Sequence, residues 1–219
     1  VWAVDGSLAP GWANSRVEGR DDSDEYQADQ TALTVASLAT LLRKHGDALA
    51  TADERQIRES VAAGVDALDD SRGDDGLPGR CQNLWEDMAG RFAHTAATFL
   101  EAYSELGRHG EGLAVDALDD PDAVPGAASL PDDLAAHARD RAREVYDALD
   151  DLWVPERGCY AVRETLDGGI DDRLDSATLG LAAAHRSFDA LGAAGDGSGA
   201  GGAVDEERLD RLVSHVETV

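Results

Sequence analysis

Lysine is almost missing from this 219-residue chain, since Lys44 is the only lysine among 19 basic residues. Those 19 stand against 45 acidic residues, which gives a formal net charge of −26. A charge of this size repels nucleic acids and anionic membrane surfaces. Long apolar runs are also missing, and no stretch approaches the roughly 18 residues that a membrane span needs. We therefore predict neither a nucleic-acid partner nor a membrane partner.

The acidic charge does not indicate a disordered tail, because 42% of the residues are hydrophobic and they are regularly patterned. It is typical of adaptation to multimolar salt, where screening removes self-repulsion and hydrated carboxylates keep a protein in solution. We expect a halophilic archaeal source. The compartment is unknown from the sequence, and a high-salt cytoplasm is the favoured expectation.

Several other signals are missing. The chain begins Val1-Trp2-Ala3, without an initiator Met or a signal-peptide pattern, and we interpret it as an internal fragment. Cys81 and Cys159 are too few for a disulfide framework and lack metal-ligand spacing, which predicts two isolated thiols. The six histidines show no paired i,i+4 spacing. We therefore expect no metal site and no cofactor.

Six segments have helical periodicity. They span about 29–45, 52–68, 86–106, 131–152, 175–191 and 205–219. The first, third and fifth are apolar around most of their circumference, which is typical of buried helices. The other three each carry one apolar stripe, which predicts helices that pack on one side only.

This alternation predicts an all-α fold of about three α/α hairpins, which is part of an (α/α)6 barrel, or toroid. A short β-hairpin is predicted near 159–165. An α-solenoid is the alternative, although its repeats are usually shorter and more regular. We interpret residues 1–219 as one partial domain, truncated at both ends. An open half-barrel would expose apolar flanks of its first and last helices.

A pair of carboxylates follows a tryptophan in Asn83-Leu84-Trp85-Glu86-Asp87, at the predicted start of the third helix. Acidic residues are common at such positions because they complement the helix dipole. Acid-catalysed attack on a sugar requires the same groups: a carboxyl whose pKa can be raised, a charged neighbour and an aromatic wall. Both interpretations stay open on these residues alone.

Two further helix starts carry acids. Gln27 and Asp29 lie at the start of the first helix, where an N-cap role explains Asp29 equally well, and Asp175 lies at the start of the fifth. In a toroid the inner helices and the loops that lead into them meet at one mouth, where a site is normally built. Gln27 and Asp29 are therefore candidate site residues.

Motifs along the chain resemble a known family. Asp75-Gly76-Leu77-Pro78, Leu84-Trp85-Glu86-Asp87, Gly90 and Thr95 resemble the signature of glycoside hydrolase family 15, the glucoamylases and their relatives. Gln27-Ala28-Asp29-Gln30-Thr31-Ala32-Leu33 is similar to a Gln-x-Asp segment of that family, and 158–163 with 175–181 are similar to a later block. The order and the approximate spacing agree over nearly the whole chain.

The resemblance implies a catalytic (α/α)6 domain of an exo-acting enzyme, which hydrolyses α-glucosidic bonds from non-reducing ends with inversion. The substrate would be an α-glucan oligosaccharide or polysaccharide, or a related α-glucoside such as trehalose. By the resemblance, Glu86 is the general acid that protonates the leaving oxygen. Trp85 and Asp87 contact the sugar, and Asn83, Gln27 and Asp29 are further substrate-binding candidates.

The chain departs from the family pattern at several positions. Asn83 stands where the family usually has Asp, Asp87 replaces Glu, and His94 stands where an aromatic residue is common. Inversion also needs a second carboxylate, about 6.5–9.5 Å from the first, to activate water. In the family that base lies further along than Val219, so we expect this segment to be catalytically incomplete.

Two alternatives from other classes stay open. One is a different α/α-barrel enzyme, such as a sugar epimerase, which would rely on paired histidines. The other is a non-catalytic carbohydrate-binding or scaffold relative, which the changes at Asn83 and Asp87 favour.

For the hydrolase, Glu86 must stay protonated near neutral pH, and burial against Trp85 and the charge of Asp87 would both raise its pKa.

Overall fold

A computed structural model describes residues 27–82, 84, 88–109, 134–173, 175–194 and 206–217. The helices are α1 (Ala28–His45), α2 (Thr51–Asp70), α3 (Ala93–Gly107), α4 (Leu134–Ala148), α5 (Gly180–Ala194) and α6 (Glu206–Glu217). Short 3-10 segments cover Gly46–Ala48, Leu149–Leu152 and Ser176–Leu179. The strands are β1 (Cys81–Gln82), β2 (Ala89–Phe92), β3 (Trp153–Val154), β4 (Cys159–Tyr160), β5 (Arg163–Glu164) and β6 (Ile170–Asp171).

Helix α3 lies at the centre of the described structure. It packs against α1 on one side and α5 on the other, while α2 packs on α1 and α4 packs on α3. Nearly all of α3 is buried, including Phe99, Leu100, Tyr103 and Leu106. Full burial of such side chains contributes about 1.5–3 kcal/mol each. The predicted helical fold with inner and outer helices is confirmed, and it is compatible with part of an α/α toroid.

The outer helices use one face each, as their single apolar stripes predict. Helix α2 buries Val61, Val65 and Leu68, and α4 buries Ala138 and Val145. Polar contacts also join these helices to the centre. The Tyr103 hydroxyl donates to Oδ1 of Asp69 at 2.7 Å, and Nε2 of His137 lies 2.7 Å from Oδ2 of the same carboxyl.

Helix α1 is less enclosed than its sequence predicts. Its buried face comprises Ala28, Ala32, Val35, Ala36, Ala39 and Leu42. Leu33 is 41% exposed, so the described residues leave one apolar flank of this helix uncovered. Helix α6 packs against β4 and against the 3-10 segment that precedes α5. No described helix has both the length and the hydropathy that crossing a membrane requires.

Four strands form an antiparallel sheet in the order β1-β2-β5-β6. Cys81 pairs with Gly90, and Arg91 pairs with Glu164. A separate hairpin, β3–β4, pairs Trp153 with Tyr160. The hairpin predicted near 159–165 is therefore present as short strands, divided between two pairings. Through β2 and β5, the sheet ties the chain before α3 to the chain before α5.

The predicted start of the third helix near Glu86 is wrong, because 89–92 form β2 and α3 begins at Ala93. Gly90 explains the difference. A Cβ on this residue would lie 2.6 Å from the carbonyl oxygen of Glu164, so only glycine permits β5 to pair this closely. The strand depends on a partner far away in sequence, which a local helical pattern does not contain.

Candidate active site at the helix N-termini

Three chain segments bring their N-terminal ends together at one end of the structure. Helix α1 begins after Gln27, and α3 begins after Phe92, which ends β2. The 3-10 segment before α5 begins after Asp175. They meet at His94 of α3, which contacts the Asp29 side chain of α1 and the Ala177 carbonyl of the 3-10 segment. The gathering of inner-helix starts predicted from the toroid arrangement is therefore found between these segments.

Asp29 lies in the first turn of α1 and is 1% exposed. Its Oδ2 lies 3.5 Å from Nε2 of His94, which is an ion-pair distance rather than a regular hydrogen bond. Among the described residues, neither carboxyl oxygen has a hydrogen-bond donor. Burying a carboxylate without a compensating positive charge costs on the order of several kcal/mol. Among the residues that the structure describes, the positive charge paired with Asp29 is that of His94.

His94 lies in the first turn of α3, and its Nδ1 lies 3.1 Å from the carbonyl oxygen of Ala177. Burial lowers the pKa of His94, but the Asp29 carboxylate and the Ala177 carbonyl outweigh this effect, and Asp175 acts in the same direction. The pKa is therefore raised above its ordinary value of 6.5. The Ala177 carbonyl is an acceptor, so Nδ1 carries the proton that faces it, and only a second proton on Nε2 gives the ring the positive charge that faces Asp29.

Asp175 is the N-cap of the 3-10 segment that leads into α5. Its carboxylate accepts a hydrogen bond of 2.9 Å from the backbone N–H of Ala177. Its backbone carbonyl accepts hydrogen bonds from the hydroxyl and the N–H of Thr178. The cap agrees with the acidic helix start that the sequence places here, and it fixes the Ala177 carbonyl that faces His94.

A small recess opens beside these groups, with room for about one water molecule. It is lined by Leu84, Phe92, His94, Val162, Asp175, Ala177 and Thr178. Asp29 is absent from this lining and reaches the recess only through its contact with His94. The described wall is therefore apolar, with one imidazole and one carboxylate as its ionisable groups.

Four of the predicted site residues, Asn83, Trp85, Glu86 and Asp87, lie outside the described residues. Leu84, which stands among them in the sequence, is 41% exposed and lines the recess. Of the other two, Asp29 faces His94, and Gln27 accepts a hydrogen bond from the Gln30 amide. The catalytic and substrate-binding roles assigned to all six stay predictions.

Sequence reasoning overlooked His94, which it registered only as a departure from the family pattern. One signal was available in the sequence. His94 lies near the start of one inner helix and Asp29 lies at the start of another, and the starts of inner helices meet at one mouth of a toroid. The contact with Ala177 had no local signal, since the two residues are 83 positions apart.

The two cysteines are buried and free, so the prediction of isolated thiols is confirmed. Cys81 lies close to the site, with its Sγ 3.6 Å from the Thr95 hydroxyl. Burial raises the pKa of its thiol, and burial also raises the pKa of Cys159. Neither thiol therefore has the character of a nucleophile. Within the described ranges, no three His, Cys, Asp or Glu side chains converge as metal ligands would.

The chain was compared with protein families, with curated proteins and with solved structures. No protein-family model matches the chain, and no curated protein is similar to it in sequence. Among solved structures, it is similar to a rhamnosidase from Klebsiella oxytoca with rhamnose bound, at 17% identity and a TM-score of 0.46. The match covers 90% of this chain and 38% of that one, so this chain spans well under half of that structure.

Proposed function

We propose that the chain is part of an inverting α-glucoside hydrolase, which releases glucose from α-glucans or from related α-glucosides such as trehalose. The observation that carries the proposal is the meeting of Asp29, His94 and Asp175 at the N-terminal ends of three packed segments. In a toroid this is the end at which a site is built. Leu84, which lines the recess there, belongs to the motif that contains Glu86.

In the proposed reaction, Glu86 donates a proton to the glycosidic oxygen as the bond to the anomeric carbon breaks. A water molecule attacks that carbon from the opposite face and loses its proton to a second carboxylate. Trp85 and Asp87 favour the protonated form of Glu86, through burial and through negative charge respectively. Gln27, Asp29 and Asn83 are proposed to help hold the sugar, with Trp85 as a stacking wall.

The test is glucose release by the intact protein from maltooligosaccharides and from trehalose, before and after the change Glu86→Gln. We expect hydrolysis to be abolished while sugar binding is kept, because the amide cannot donate the proton but retains the shape of the acid. Glu59→Gln, on the outer helix α2, is the control and should leave turnover unchanged.

The configuration of the released glucose is a second readout. NMR of the fresh glucose released from maltooligosaccharides should show the β-anomer, since inversion of an α-glucoside produces it. Near-normal turnover in Glu86→Gln, or α-glucose released from maltooligosaccharides, would contradict the proposal. Binding of maltooligosaccharides without any hydrolysis by the unmodified protein would instead favour the carbohydrate-binding alternative.

A further inference from the structure

His94 connects three elements that are far apart in the sequence. We propose that it is a positioning residue of this site: its imidazolium joins the first turns of α1 and α3 to the segment before α5, and so holds in place the wall against which the sugar binds. The ligand in this inference rests on the proposed function. The bridge, by which we mean the contacts of His94 with Asp29 and with the Ala177 carbonyl, rests on the geometry.

The ring is enclosed on each side by a different helix. Asp29 of α1 lies 3.5 Å from Nε2, and the Ala177 carbonyl lies 3.1 Å from Nδ1. Gly180, the first residue of α5, lies beside the ring, where a Cβ would come within 3.4 Å of Nδ1. Since His94 also lines the recess, any displacement of its ring changes the shape of that wall.

The bridge depends on the number of N–H donors in the ring. An imidazolium has two and a positive charge, so it can donate to the Ala177 carbonyl and pair electrostatically with Asp29, whereas neutral imidazole has one N–H and no charge. Loss of the proton therefore leaves either the Ala177 carbonyl without its donor or the Asp29 carboxylate without the positive charge that faces it. Asp29 is 1% exposed, so water cannot readily replace the lost contact. Deprotonation is expected to loosen the contact between the first turns of α1 and α3, or the contact between α3 and the segment before α5, while the buried core keeps the helices packed.

Charged and titratable groups reach His94 from several elements. The carboxylate of Asp29 acts from α1, and the carboxylate of Asp175 acts from the segment before α5. The neighbouring thiol of Cys81 has a raised pKa because it is buried, and it carries no charge near neutral pH. The histidine of α5, His185, contacts the rings of Tyr146 and Tyr160 and is not among the main groups that shift the pKa of His94.

The cations of the adjacent strands are already paired. Arg91 of β2 binds the carboxylates of Asp75 and Glu164. Arg163 of β5 binds Asp171. Within the described part of the chain, the charged groups that act on His94 are Asp29 and Asp175, and both favour the imidazolium. A histidine with a raised pKa in the folded state contributes stability that is present below 6.5 and is lost as pH rises through the folded-state value.

The first experiment follows the ring directly, by NMR titration of the histidines in the intact protein. His94 should titrate above 6.5. In the variant Asp29→Asn, the pKa of His94 should fall, because the carboxylate that favours its charged form is removed. A His94 that titrates at or below 6.5, or that is unaffected by Asp29→Asn, would overturn the bridge.

The second experiment measures KM and kcat for maltooligosaccharides against pH. KM of the unmodified protein should rise through the pH range in which NMR shows His94 losing its proton, with kcat little changed. His94→Gln should raise KM roughly tenfold at low pH, as expected for loss of a hydrogen bond to a charged group, and remove the alkaline rise. His45→Gln is the matched control and should keep the profile of the unmodified protein.

If His94 had a purely structural role, His94→Gln would lower thermal stability but leave the shape of the KM profile unchanged. Retention of the alkaline rise in KM in this variant therefore overturns the positioning role. If that variant fails to fold, the coincidence of the KM rise with the NMR titration decides the question. The two proposals also fail separately. Absence of hydrolysis with a normal bridge titration rejects the proposed function, whereas Glu86-dependent hydrolysis with no bridge titration rejects the role of His94.

Discussion

Gly64 faces Val35 across the α1–α2 pair at a distance that leaves no space for a side chain. A Cβ on Gly64 would lie 2.4 Å from Cγ2 of Val35. Val35 is β-branched and buried, so its side chain cannot rotate out of the way. We expect Gly64→Ala to lower the free energy of unfolding by about 1–3 kcal/mol, although alanine favours a helix by roughly 1 kcal/mol. Equilibrium unfolding in urea measures the change.

Gly46→Ala is the matched control for this prediction. A Cβ on Gly46 meets nothing within 4 Å, and its φ of −52° is available to any residue. Alanine there should leave stability unchanged or raise it by about 0.4–1 kcal/mol. Similar losses from both substitutions would contradict the packing explanation and indicate a general effect of removing glycine.

At the scale of elements, Glu105 joins α3 to the C-terminal half of α1. Its carboxylate accepts hydrogen bonds from Arg43, from the Thr40 hydroxyl at 3.1 Å and from Arg108 at 2.7 Å. Burial raises the pKa of Glu105, but the two arginines outweigh it, and the value lies below the ordinary 4.5. A lowered pKa contributes stability that is present above 4.5 and is lost as pH falls.

We therefore expect Glu105→Gln to lower the free energy of unfolding by about 1–3 kcal/mol near neutral pH, since it weakens hydrogen bonds between charged groups. The difference between variant and unmodified protein should shrink as the pH falls below 4.5. Urea unfolding over a pH series measures both effects. Glu207→Gln, whose side chain is 75% exposed on α6, should change stability little at any pH. A pH-independent loss in Glu105→Gln would contradict the charge explanation.

Helix bounds were predictable where the cause is local. The first two segments, predicted at 29–45 and 52–68, correspond to α1 (Ala28–His45) and α2 (Thr51–Asp70). The third was predictable in its buried part only, because β2 replaces its first turn through pairing with β1 and β5. Pairing between strands that are about seventy residues apart depends on Gly90 and on tertiary contacts, and periodicity within one segment contains neither.

The candidate site was predictable in the same partial way. The sequence identified acidic starts for α1 and for the segment before α5, and the structure brings Asp29 and Asp175 to the same histidine. It did not identify which groups they face. From the sequence alone, the helix dipole or an N-cap role explains an acid at the position of Asp29. Its burial, and its pairing with His94, are visible only in the fold.

At the scale of the whole molecule, the dominant quantity is the net charge of −26. Most of the described ion pairs have at least one partly exposed member, and such pairs contribute little individually. The excess of acidic residues therefore acts mainly as self-repulsion, which grows as the screening length increases. That length is about 10 Å at 0.1 M salt and about 3 Å at 1 M.

We expect the melting temperature to rise steeply with KCl concentration, measured by circular dichroism from about 0.1 M to the molar range. The matched variant replaces exposed acids on α4, on the 3-10 segment after it and on the turn after α1, as Asp47→Asn, Asp147→Asn and Asp151→Asn together. Because it carries less negative charge, this variant should be more stable at low salt and gain less from added KCl. Sucrose, which promotes compact states without screening charge, should stabilise both proteins equally. A melting temperature that does not depend on KCl, or an equal salt response in the two proteins, would exclude self-repulsion as the cause and would remove the physical basis for expecting a high-salt environment.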